Sequence, residues 1–448
     1  MRVLARDVAA GIKGADSGEI ELSGWVHRIW AVENVGFVIL RDRSAEIQLV
    51  FGGDYPLPRD TPLTPESLIS VSGIPVLNEK IPGGVEIAVR SIKILSQAVR
   101  ELPFQVNGDV SKSSLDSILD NRFLSLRSPK ILSIFRVQAT IMEAFAAYLR
   151  KEDFTEIKSS KLVLSATEEA ANLFRTEYFD STLYLAQSSR FYRQIMVAAG
   201  LERIFEIGPA FRAEKHDTPR HLGEFISLDV EMGFIENEKD LIKLEKDLLA
   251  HIFSEVERKN KKDLDAWNAR VPQPEAVIRS PTVTYEESLS IANREAARDN
   301  SSGGRIFDIT PRAEQLLCEW ALREKGVDLV FVNEFPRRYR PFYTFPLSVG
   351  FSAAEGAALT MSFDCLFRGM EITSGCRRHD NYNALLEALP LFGLKPDDQK
   401  EYLELLTYGC PPHGGFAIGL ERLTLKILGL SSVKEASLFP RDSKRMAP

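Results

Sequence analysis

Cysteine is scarce in this chain of 448 residues. Its four cysteines, Cys318, Cys365, Cys376 and Cys410, include no pair with C-x-x-C spacing, so neither a cysteine-based zinc site nor a disulfide framework is expected. The chain also lacks a run of roughly 18 apolar residues, the length of a membrane span, and a recognisable signal peptide. These absences predict a soluble protein of the reducing cytoplasm.

An excess of positive charge is missing as well. The chain has 56 Lys and Arg against 63 Asp and Glu, a net charge of −7. This excludes a histone-like protein held to nucleic acid by bulk charge, although a local basic groove remains compatible. With 44% hydrophobic residues, the chain can bury a large core, which excludes disordered and collagen-like proteins. Its length allows about two to four domains.

The first hundred residues have the alternating apolar and polar pattern of short β-strands. Five such segments, separated by turn residues, are 18–30, 35–41, 45–51, 67–76 and 85–95. Five short strands in this space predict a small barrel of the OB type, which typically binds single-stranded nucleic acid or an oligosaccharide. A structural barrel of the SH3-like kind fits the strands alone equally well.

The rest of the chain predicts an α+β domain. Residues 106–130 are polar and predict a hinge between a barrel domain, 1–105, and a second domain, 131–448. Helical periodicity begins at Ile131, and a second strong helix is predicted over 238–258. Strand-like segments are 184–186, 203–213, 224–234, 360–367, 370–373 and 414–419. Long hairpins with flanking helices predict a largely antiparallel sheet.

The segment 205–232 predicts a hairpin with one chemically active face. Arg212 and Glu214 share a face on the incoming strand, and Ser227, Asp229 and Glu231 share one on the returning strand. The cationic loop between them contains Lys215, His216, Arg220 and His221. Such a face offers an arginine to a phosphate and carboxylates to amines. A solvated charged hairpin is the alternative that this segment alone leaves open.

A second hairpin is predicted around the two-residue turn Arg368-Gly369. Its register would pair Leu366 with Glu371 and Cys365 with Ile372, which makes Asp364 a diagonal neighbour of Glu371 at roughly 7–8 Å. Two converging carboxylates repel each other without a cation, and Mg²⁺ bridging phosphate oxygens is a natural one. The alternative is that each carboxylate pairs with a nearby arginine.

The segment 414–430 predicts a strand of small residues followed by an amphipathic helix, with Glu421 and Arg422 near the helix start. Small residues allow a ligand to approach the backbone closely, and an arginine can stack on a nucleobase while contacting phosphate. By itself this signal is weak, because an arginine in the first turn of a helix is usually solvated.

Together these segments resemble the three signature motifs of the class II aminoacyl-tRNA synthetases, in the right order and behind an OB-like domain. The similarity is greatest to aspartyl-tRNA synthetases of the archaeal and eukaryotic type, including the form that charges both aspartate and asparagine tRNAs. It runs from GWVHRI to LFPRDSKRMAP and is carried by IFEIGPAFRAE, RHLGEF, RPFYT, FRGMEITSG, PPHGGF and GLERL. It implies an OB-fold anticodon-binding barrel followed by a class II catalytic domain whose antiparallel sheet is flanked by helices.

The resemblance also implies roles for individual residues. At the ATP site, Arg212 would bind the α-phosphate, Glu214 the adenine amine and Arg422 the γ-phosphate and adenine, with His221 and Glu224 in the adjoining loop. Asp364 and Glu371 would bind Mg²⁺. The amino-acid site would comprise Glu168, Gln187, Ser188, Arg190, Arg193, Asp229 and Arg378. Phe37 and Gln48 would contact an anticodon base.

The activity so implied is activation of L-aspartate by ATP to aspartyl-adenylate, followed by transfer to tRNA(Asp) and, in a broader form of the hypothesis, to tRNA(Asn). No protein nucleophile is needed, because positioning and neutralisation of charge by Arg212, Arg422 and metal ions supply the catalysis. The family expectation is also a homodimer.

Departures from the family pattern surround the amino-acid site. Arg190 replaces a glutamine and Arg193 a lysine, and an arginine fork does not substitute neutrally for either. Glu169-Ala170 replaces a glycine pair, and Cys376-Arg377 replaces Gly-Gln. Added cations disfavour asparagine as the substrate. They leave open a paralogue that adenylates a different acidic amino acid in a biosynthetic or resistance role.

Other departures concern tRNA binding and assembly. Trp30 replaces a usual arginine in the barrel, where residues 33–36 replace a glycine-containing loop. Ser160 stands where the motif 1 proline is expected at the dimer interface. A catalytically silent nucleic-acid-binding protein is a third hypothesis, which the retained ATP-site residues argue against.

Overall fold

The structure, a computed structural model, describes residues 3–9, 18–53, 55–57, 63–108, 110–164, 173–213, 217–298, 304–347 and 358–447. The chain divides into two compact units, residues 1–128 and 129–448.

The first unit is built around a closed five-stranded barrel with the strand order β1-β2-β3-β5-β4, which confirms the predicted barrel. Its strands are β1 (Ile20–Val32), β2 (Val35–Arg41), β3 (Glu46–Phe51), β4 (Leu68–Leu77) and β5 (Val85–Ser96), preceded by helix α1 (Ala5–Ala9). Alternate residues, such as Val38 and Leu40 on β2, are buried in the barrel core, so the period of two seen in the sequence marks its inner wall.

Short helices follow the barrel in the segment predicted as a hinge. They are a 3₁₀ turn (Val110–Lys112), α2 (Leu115–Asp120) and α3 (Arg122–Ser125). The hydroxyl of Ser114 caps α2 by accepting from the backbone N–H of Ser117 at 3.2 Å. Each of these helices has fewer than two turns, so the sequence cannot show a repeated apolar period there.

The second unit contains, in the described residues, an eight-stranded sheet of order β12-β13-β14-β15-β16-β11-β10-β6. Its strands are β6 (Thr155–Glu156), β10 (Arg203–Phe211), β11 (Glu224–Gly233), β12 (Thr282–Thr284), β13 (Leu329–Asn333), β14 (Ser362–Phe367), β15 (Glu371–Arg377) and β16 (His413–Gly419). The pairs β12–β13 and β10–β6 at the edges are parallel and all others antiparallel, as the largely antiparallel prediction requires. A smaller sheet joins β7 (Leu162–Val163), β8 (Arg175–Tyr178) and β9 (Ser181–Leu185) in the order β7-β9-β8.

Helices accompany both sheets. They are α4 (Pro129–Lys151), α5 (Arg190–Met196), α6 (Glu238–Lys259), α7 (Lys261–Asp265), α8 (Pro274–Ile278), α9 (Tyr285–Arg298), α10 (Pro311–Lys325), α11 (Tyr382–Ala388), α12 (Lys400–Leu405) and α13 (Leu420–Leu428). A π-helical turn (Val197–Leu201) and 3₁₀ turns (Arg337–Tyr339, Leu389–Phe392, Pro396–Gln399, Leu406–Tyr408) complete the set. Helix α6 begins where predicted because Asn237 and Asp240 form a capping box.

Helices α4, α6 and α13 share one hydrophobic core with the apolar face of the large sheet. By length and composition α4 could cross a membrane, but 56% of its most apolar window is buried, and residues such as Ile134, Ile141 and Phe145 lie in this core. These helices cover the apolar face of the sheet. The polar residues described next lie on its opposite face.

Candidate active site

A cavity of about 150 Å³ opens on the polar face of β10, β11, β15 and β16. These strands are adjacent in the sheet, so residues more than 200 positions apart in the chain meet there. Predicted site residues that line the cavity are Gln187, Ser188, Arg190, Arg212, His221, Asp229, Glu371 and Arg422. Glu168 and Glu214 lie outside the described residues.

Arg212 follows the last residue of β10 and keeps the hairpin closed, since its backbone N–H donates to the carbonyl of Gly223 at 2.9 Å. Its guanidinium lies 5.4 Å from the ring centroid of Phe225, which also lines the cavity. Phe225 was missed in the sequence, although it has the same parity on β11 as Ser227 and Asp229 and therefore shares their face. An arginine beside an aromatic ring is suited to a phosphorylated nucleoside, whose base stacks and whose phosphate pairs.

Residues 217–223, the described part of the loop before β11, are held by two contacts. His221 Nδ1 lies 2.7 Å from Thr218 Oγ1, and Arg220 forms an ion pair with Glu314 of α10. Glu224, the first residue of β11, is exposed and pairs with Phe211 across the ladder. Of the four residues of the predicted cationic loop, Arg220 and His221 line the cavity, whereas Lys215 and His216 lie outside the described residues.

Arg422 reaches across from α13 to β15. Its Nη1 donates to the backbone carbonyl of Glu371 at 2.9 Å and to Oε1 of the same residue at 3.3 Å. Its neighbour Glu421, not predicted as a site residue, accepts from the backbone N–H of Ile226 through both carboxylate oxygens at 3.1 Å. Burial raises the pKa of Glu421 to about 7. The two residues thus dock the start of α13 against the neighbouring strands, with Arg422 at the cavity.

The predicted register of the β14–β15 hairpin is correct at the turn and wrong beyond it. Arg368-Gly369 forms the turn, with φ of 48° and 74°, and Leu366 pairs with Glu371. However, Cys365 pairs with Thr373 rather than Ile372, because the ladder is irregular between Cys365 and Leu366. An extra residue on one strand is a β-bulge, which a count of residues from the turn cannot anticipate.

Asp364 and Glu371 nevertheless remain electrostatically coupled. Burial and then the negative charge of Asp364 raise the pKa of Glu371, although 39% of the Glu371 side chain is accessible. Each carboxylate also has an arginine: Asp364 Oδ2 lies 2.8 Å from Nη2 of Arg340, and Glu371 contacts Arg422. Each of the two carboxylates is therefore paired with an arginine, as the alternative to a metal site predicted.

A magnesium ion fits the same pair. Asp364 Oδ1 is buried, and no described residue gives it a hydrogen-bond partner. Among the described residues no three His, Cys, Asp or Glu side chains converge as a metal site. Since Mg²⁺ usually takes one or two carboxylates and completes its shell with water and substrate phosphates, two carboxylates are a sufficient protein contribution.

Arg193, predicted at the amino-acid site, is not among the described residues that line the cavity. It is completely buried on α5, and its Nη1 donates to the carbonyl of Val230 at 3.1 Å. Its guanidinium lies 3.5 Å from Asp229 and 3.6 Å from Glu231. Asp229, which also accepts from Ser189 at 2.9 Å, is the link between this buried arginine and the cavity.

Arg378 lies beside it in the same buried cluster. Its Nε donates to Oε1 of Glu231 at 2.9 Å, its Nη2 to the carbonyl of Gly415 at 3.1 Å and its Nη1 to Sγ of Cys376 at 2.6 Å. Burial alone would raise the pKa of Glu231, but the charges of Arg378 and Arg193 outweigh it and lower that pKa. Two arginines thus share one fully buried carboxylate behind the cavity.

Arg190 is the predicted amino-acid-site arginine that does reach the cavity. Its guanidinium lies 4.8 Å from the ring centroid of Tyr343, which orients the side chain. Gln187 is also at the cavity and is 6% exposed. Of the three arginines predicted at the amino-acid site, Arg190 lines the cavity, whereas Arg193 pairs with Asp229 and Arg378 with Glu231 in the interior.

In the barrel, Phe37 and Gln48 belong to adjacent strands, β2 and β3. Gln48 Nε2 donates to Oε2 of Glu86 at 2.9 Å. The ring of Phe37 is stacked on Trp30, with centroids 5.3 Å apart and an interplanar angle of 13°. Ser160, at the motif 1 proline position, is exposed, and its hydroxyl donates to the carbonyl of Leu162 at 3.0 Å.

Comparison with known proteins gives a consistent result. Residues 114–443 match the family of class II tRNA synthetases (D, K and N), and residues 20–95 match the OB-fold nucleic acid binding domain. The chain is 41% identical over 450 residues to an aspartate--tRNA(Asp/Asn) ligase of Thermus thermophilus, covering all of both chains. It is 39% identical to one of Methanopyrus kandleri, covering 97% of each. The asparaginyl-tRNA synthetase of Pyrococcus horikoshii in complex with asparaginyl-adenylate is similar in structure, with a TM-score of 0.88, 28% identity and full coverage of both chains.

Proposed function

This chain belongs to the class II tRNA synthetases of the aspartate, lysine and asparagine group, and from that premise we propose that it is an aspartate--tRNA ligase. It activates L-aspartate with ATP and transfers it to tRNA(Asp). The observation that carries this proposal is the cavity in which Arg212, Arg422 and Asp229 meet, in a chain whose full length matches aspartate--tRNA ligases.

The reaction follows from these positions. The α-carboxylate of aspartate attacks the α-phosphorus of ATP in line with the departing pyrophosphate, and the 3′-terminal ribose hydroxyl of tRNA then attacks the acyl carbonyl and releases AMP. Arg212 is the residue for the α-phosphate, and Phe225 provides the ring on which adenine stacks. Arg422 binds the distal phosphate and adenine. Fixed cations lower the barrier because they need no reorganisation as charge develops.

Asp364 and Glu371 are the residues that would hold Mg²⁺, and the ion would neutralise charge on the phosphate oxygens of ATP. Asp364 would then exchange part of its interaction with Arg340 for the metal. Gln187, Ser188, Glu168 and Asp229 are proposed to hold the amino acid, and Glu214, His221 and Glu224 to surround the nucleotide.

Selection of aspartate over asparagine rests on positive charge. Arg190 lines the cavity, while Arg193 and Arg378 are held by the buried Glu231. A side-chain carboxylate would be attracted by the charge of Arg190, whereas a neutral amide would not. The resemblance assigns Arg378 to that carboxylate, which would require Arg378 to share its guanidinium with Glu231.

Transfer to tRNA(Asn) as well is part of the proposal, in keeping with relatives described as aspartate--tRNA(Asp/Asn) ligases. The barrel would bind the anticodon loop through the surface that carries Phe37 and Gln48. A homodimer and a cytoplasmic location are the remaining family expectations. The paralogue hypothesis receives no support from these relatives.

ATP–pyrophosphate exchange tests the proposal directly. The purified protein should exchange with aspartate and fail to do so with asparagine or glutamate. Aminoacylation of tRNA(Asp) and tRNA(Asn) transcripts then measures tRNA choice. Exchange with another acidic amino acid but none with aspartate would refute the ligase and favour the paralogue.

A further inference from the structure

Trp30 and Phe37 face each other because of the turn between their strands. Glu33 and Asn34 form a two-residue turn, so Val32 pairs with Val35 and, two rungs further, Trp30 pairs with Phe37. Residues directly opposite in an antiparallel ladder have side chains close enough to touch, and the two rings lie nearly parallel at 13°.

Trp30 is the more exposed ring of this pair. It is 40% exposed although Phe37 covers one of its faces, whereas Phe37 is only partly exposed. The indole therefore presents its other face to solvent, held in place by the ring behind it. A rigid aromatic surface of this kind needs no side-chain ordering when a flat ligand stacks on it.

The neighbouring side chains fit single-stranded RNA. Arg28, which is exposed, precedes Trp30 by two residues on β1 and shares its face. Across the ladder, Arg28 pairs with Ile39, and Ile39 pairs with Gln48. A cation for phosphate, an amide for a base edge and a ring for stacking thus lie on one outer face of the barrel.

We propose that the solvent-facing side of Trp30 is a stacking site for one base of the tRNA anticodon loop, adjoining the position of Phe37 and Gln48. The inference rests on the proposed function, because it takes tRNA as the ligand of the barrel. Relative to the arginine usual at this position, tryptophan exchanges a charge for a larger stacking area. Binding at this position is therefore insensitive to salt.

The test measures binding of full-length protein to a tRNA(Asp) transcript at several salt concentrations. Trp30→Leu should raise the Kd roughly 10-fold, in the range found for loss of one base–aromatic stack. The slope of log Kd against log salt should stay unchanged, because no phosphate contact is lost. Trp30→Phe should bind within about threefold of wild type, since it keeps an aromatic ring.

Leu77→Ala is the matched control. Leu77 is an apolar residue at the end of β4 that is 68% exposed, and its loss should leave the Kd unchanged. Trp30 is one of four tryptophans, so its contact with a base also has an optical signature. Addition of tRNA should quench the intrinsic fluorescence of wild type, and the quench should be largely lost in Trp30→Phe despite retained binding.

The proposal is overturned if Trp30→Leu binds tRNA as well as wild type, or if the quench persists in Trp30→Phe. ATP–pyrophosphate exchange with aspartate separates this failure from failure of the proposed function. Exchange should be intact in every Trp30 variant. Wild-type protein without exchange would refute the ligase, whereas intact exchange with unaltered tRNA binding in Trp30→Leu would refute the stacking site alone. Wild-type protein that fails to bind tRNA would refute both.

Discussion

Arg378 and Glu231 form a buried ion pair in which Nε of the arginine donates to Oε1 of the glutamate at 2.9 Å. Arg193 approaches the other oxygen of the same carboxylate at 3.6 Å. The cluster behind the cavity therefore has two cations on one fully buried anion. With Asp229, which lies 3.5 Å from Arg193, the cluster pairs two arginines with two carboxylates.

Glu231→Gln should be strongly destabilising, because it leaves two buried guanidinium groups without their shared anion. Removal of one partner of a buried ion pair costs about 3–5 kcal/mol, which urea denaturation would measure. Glu236→Gln, on an exposed residue five positions later, should change the free energy of unfolding by less than about 0.5 kcal/mol. Equal stability of the two variants would show that the cluster contributes little.

Arg193→Lys should lower stability and raise the KM for aspartate several-fold. A single ammonium group cannot reproduce the guanidinium contacts to Val230, Asp229 and Glu231, and Asp229 then loses support at the cavity. Steady-state ATP–pyrophosphate exchange provides the measurement. A strong increase in aspartate activation would contradict this expectation and indicate that the wild-type pocket is adapted to a different acid.

Phe225→Leu should raise the KM for ATP and leave the KM for aspartate nearly unchanged. Loss of one base–aromatic stack costs about 1–3 kcal/mol, which corresponds to roughly 5- to 150-fold in affinity. Phe307→Leu removes another ring, 71% exposed, and serves as the control. An unchanged KM for ATP in Phe225→Leu would place the adenine elsewhere.

ATP binding should weaken as pH rises through about 7, because Glu421 loses its proton there and adds a negative charge to the cavity. In the folded chain its pKa is raised from 4.5, so this residue also lowers stability as pH rises from about 4.5 to about 7. Glu421→Gln should remove both effects. The terminal phosphate of ATP titrates in a similar range, so the readout is the difference between wild type and variant. Parallel pH profiles would exclude a role for Glu421.

The barrel has its own acid-sensitive group in Glu66. Burial would raise the pKa of Glu66, but the neighbouring His27 and the hydrogen bonds from Arg41 and Arg127 outweigh it and lower that pKa from 4.5 to about 2. Because the folded pKa is depressed, the stabilisation is present above about pH 4.5 and is lost as pH falls toward 2. The shift corresponds to roughly 3 kcal/mol.

Denaturation between pH 6 and 2 would detect this loss as an acid limb of the stability profile. Glu66→Gln should flatten that limb and lower stability at neutral pH. Glu101→Gln, on an exposed residue, should keep the wild-type profile. An acid limb of unchanged steepness in Glu66→Gln would assign the loss to other carboxylates.

Local patterns in the sequence were sufficient for the five barrel strands and for the strands that line the cavity, but they predicted no strand at β6, β7, β8, β12 or β13. Strand β2 was predicted at its observed bounds, because its period of two ends at turn residues on both sides. The alternation of side chains along β11 correctly placed Ser227, Asp229 and Glu231 on one face. Phe225 has the same parity, so the same pattern could have placed it there too. The motifs, together with their order, identified the family, which the match over residues 114–443 confirms.

Only the tertiary structure decided which of these groups meet. The strand order brings Gln187, Arg212, Asp229, Glu371 and Arg422 to one cavity, and no local pattern specifies that order because it depends on long-range pairing. The β-bulge beside Cys365, the burial of Arg193 and the stacking of Trp30 on Phe37 depend likewise on partners elsewhere in the chain. The sequence by itself thus determined which chemical groups are available and on which face of each strand they lie. Packing determined which arginines line the cavity and which are neutralised in the interior, because the desolvation of a charge depends on what surrounds it.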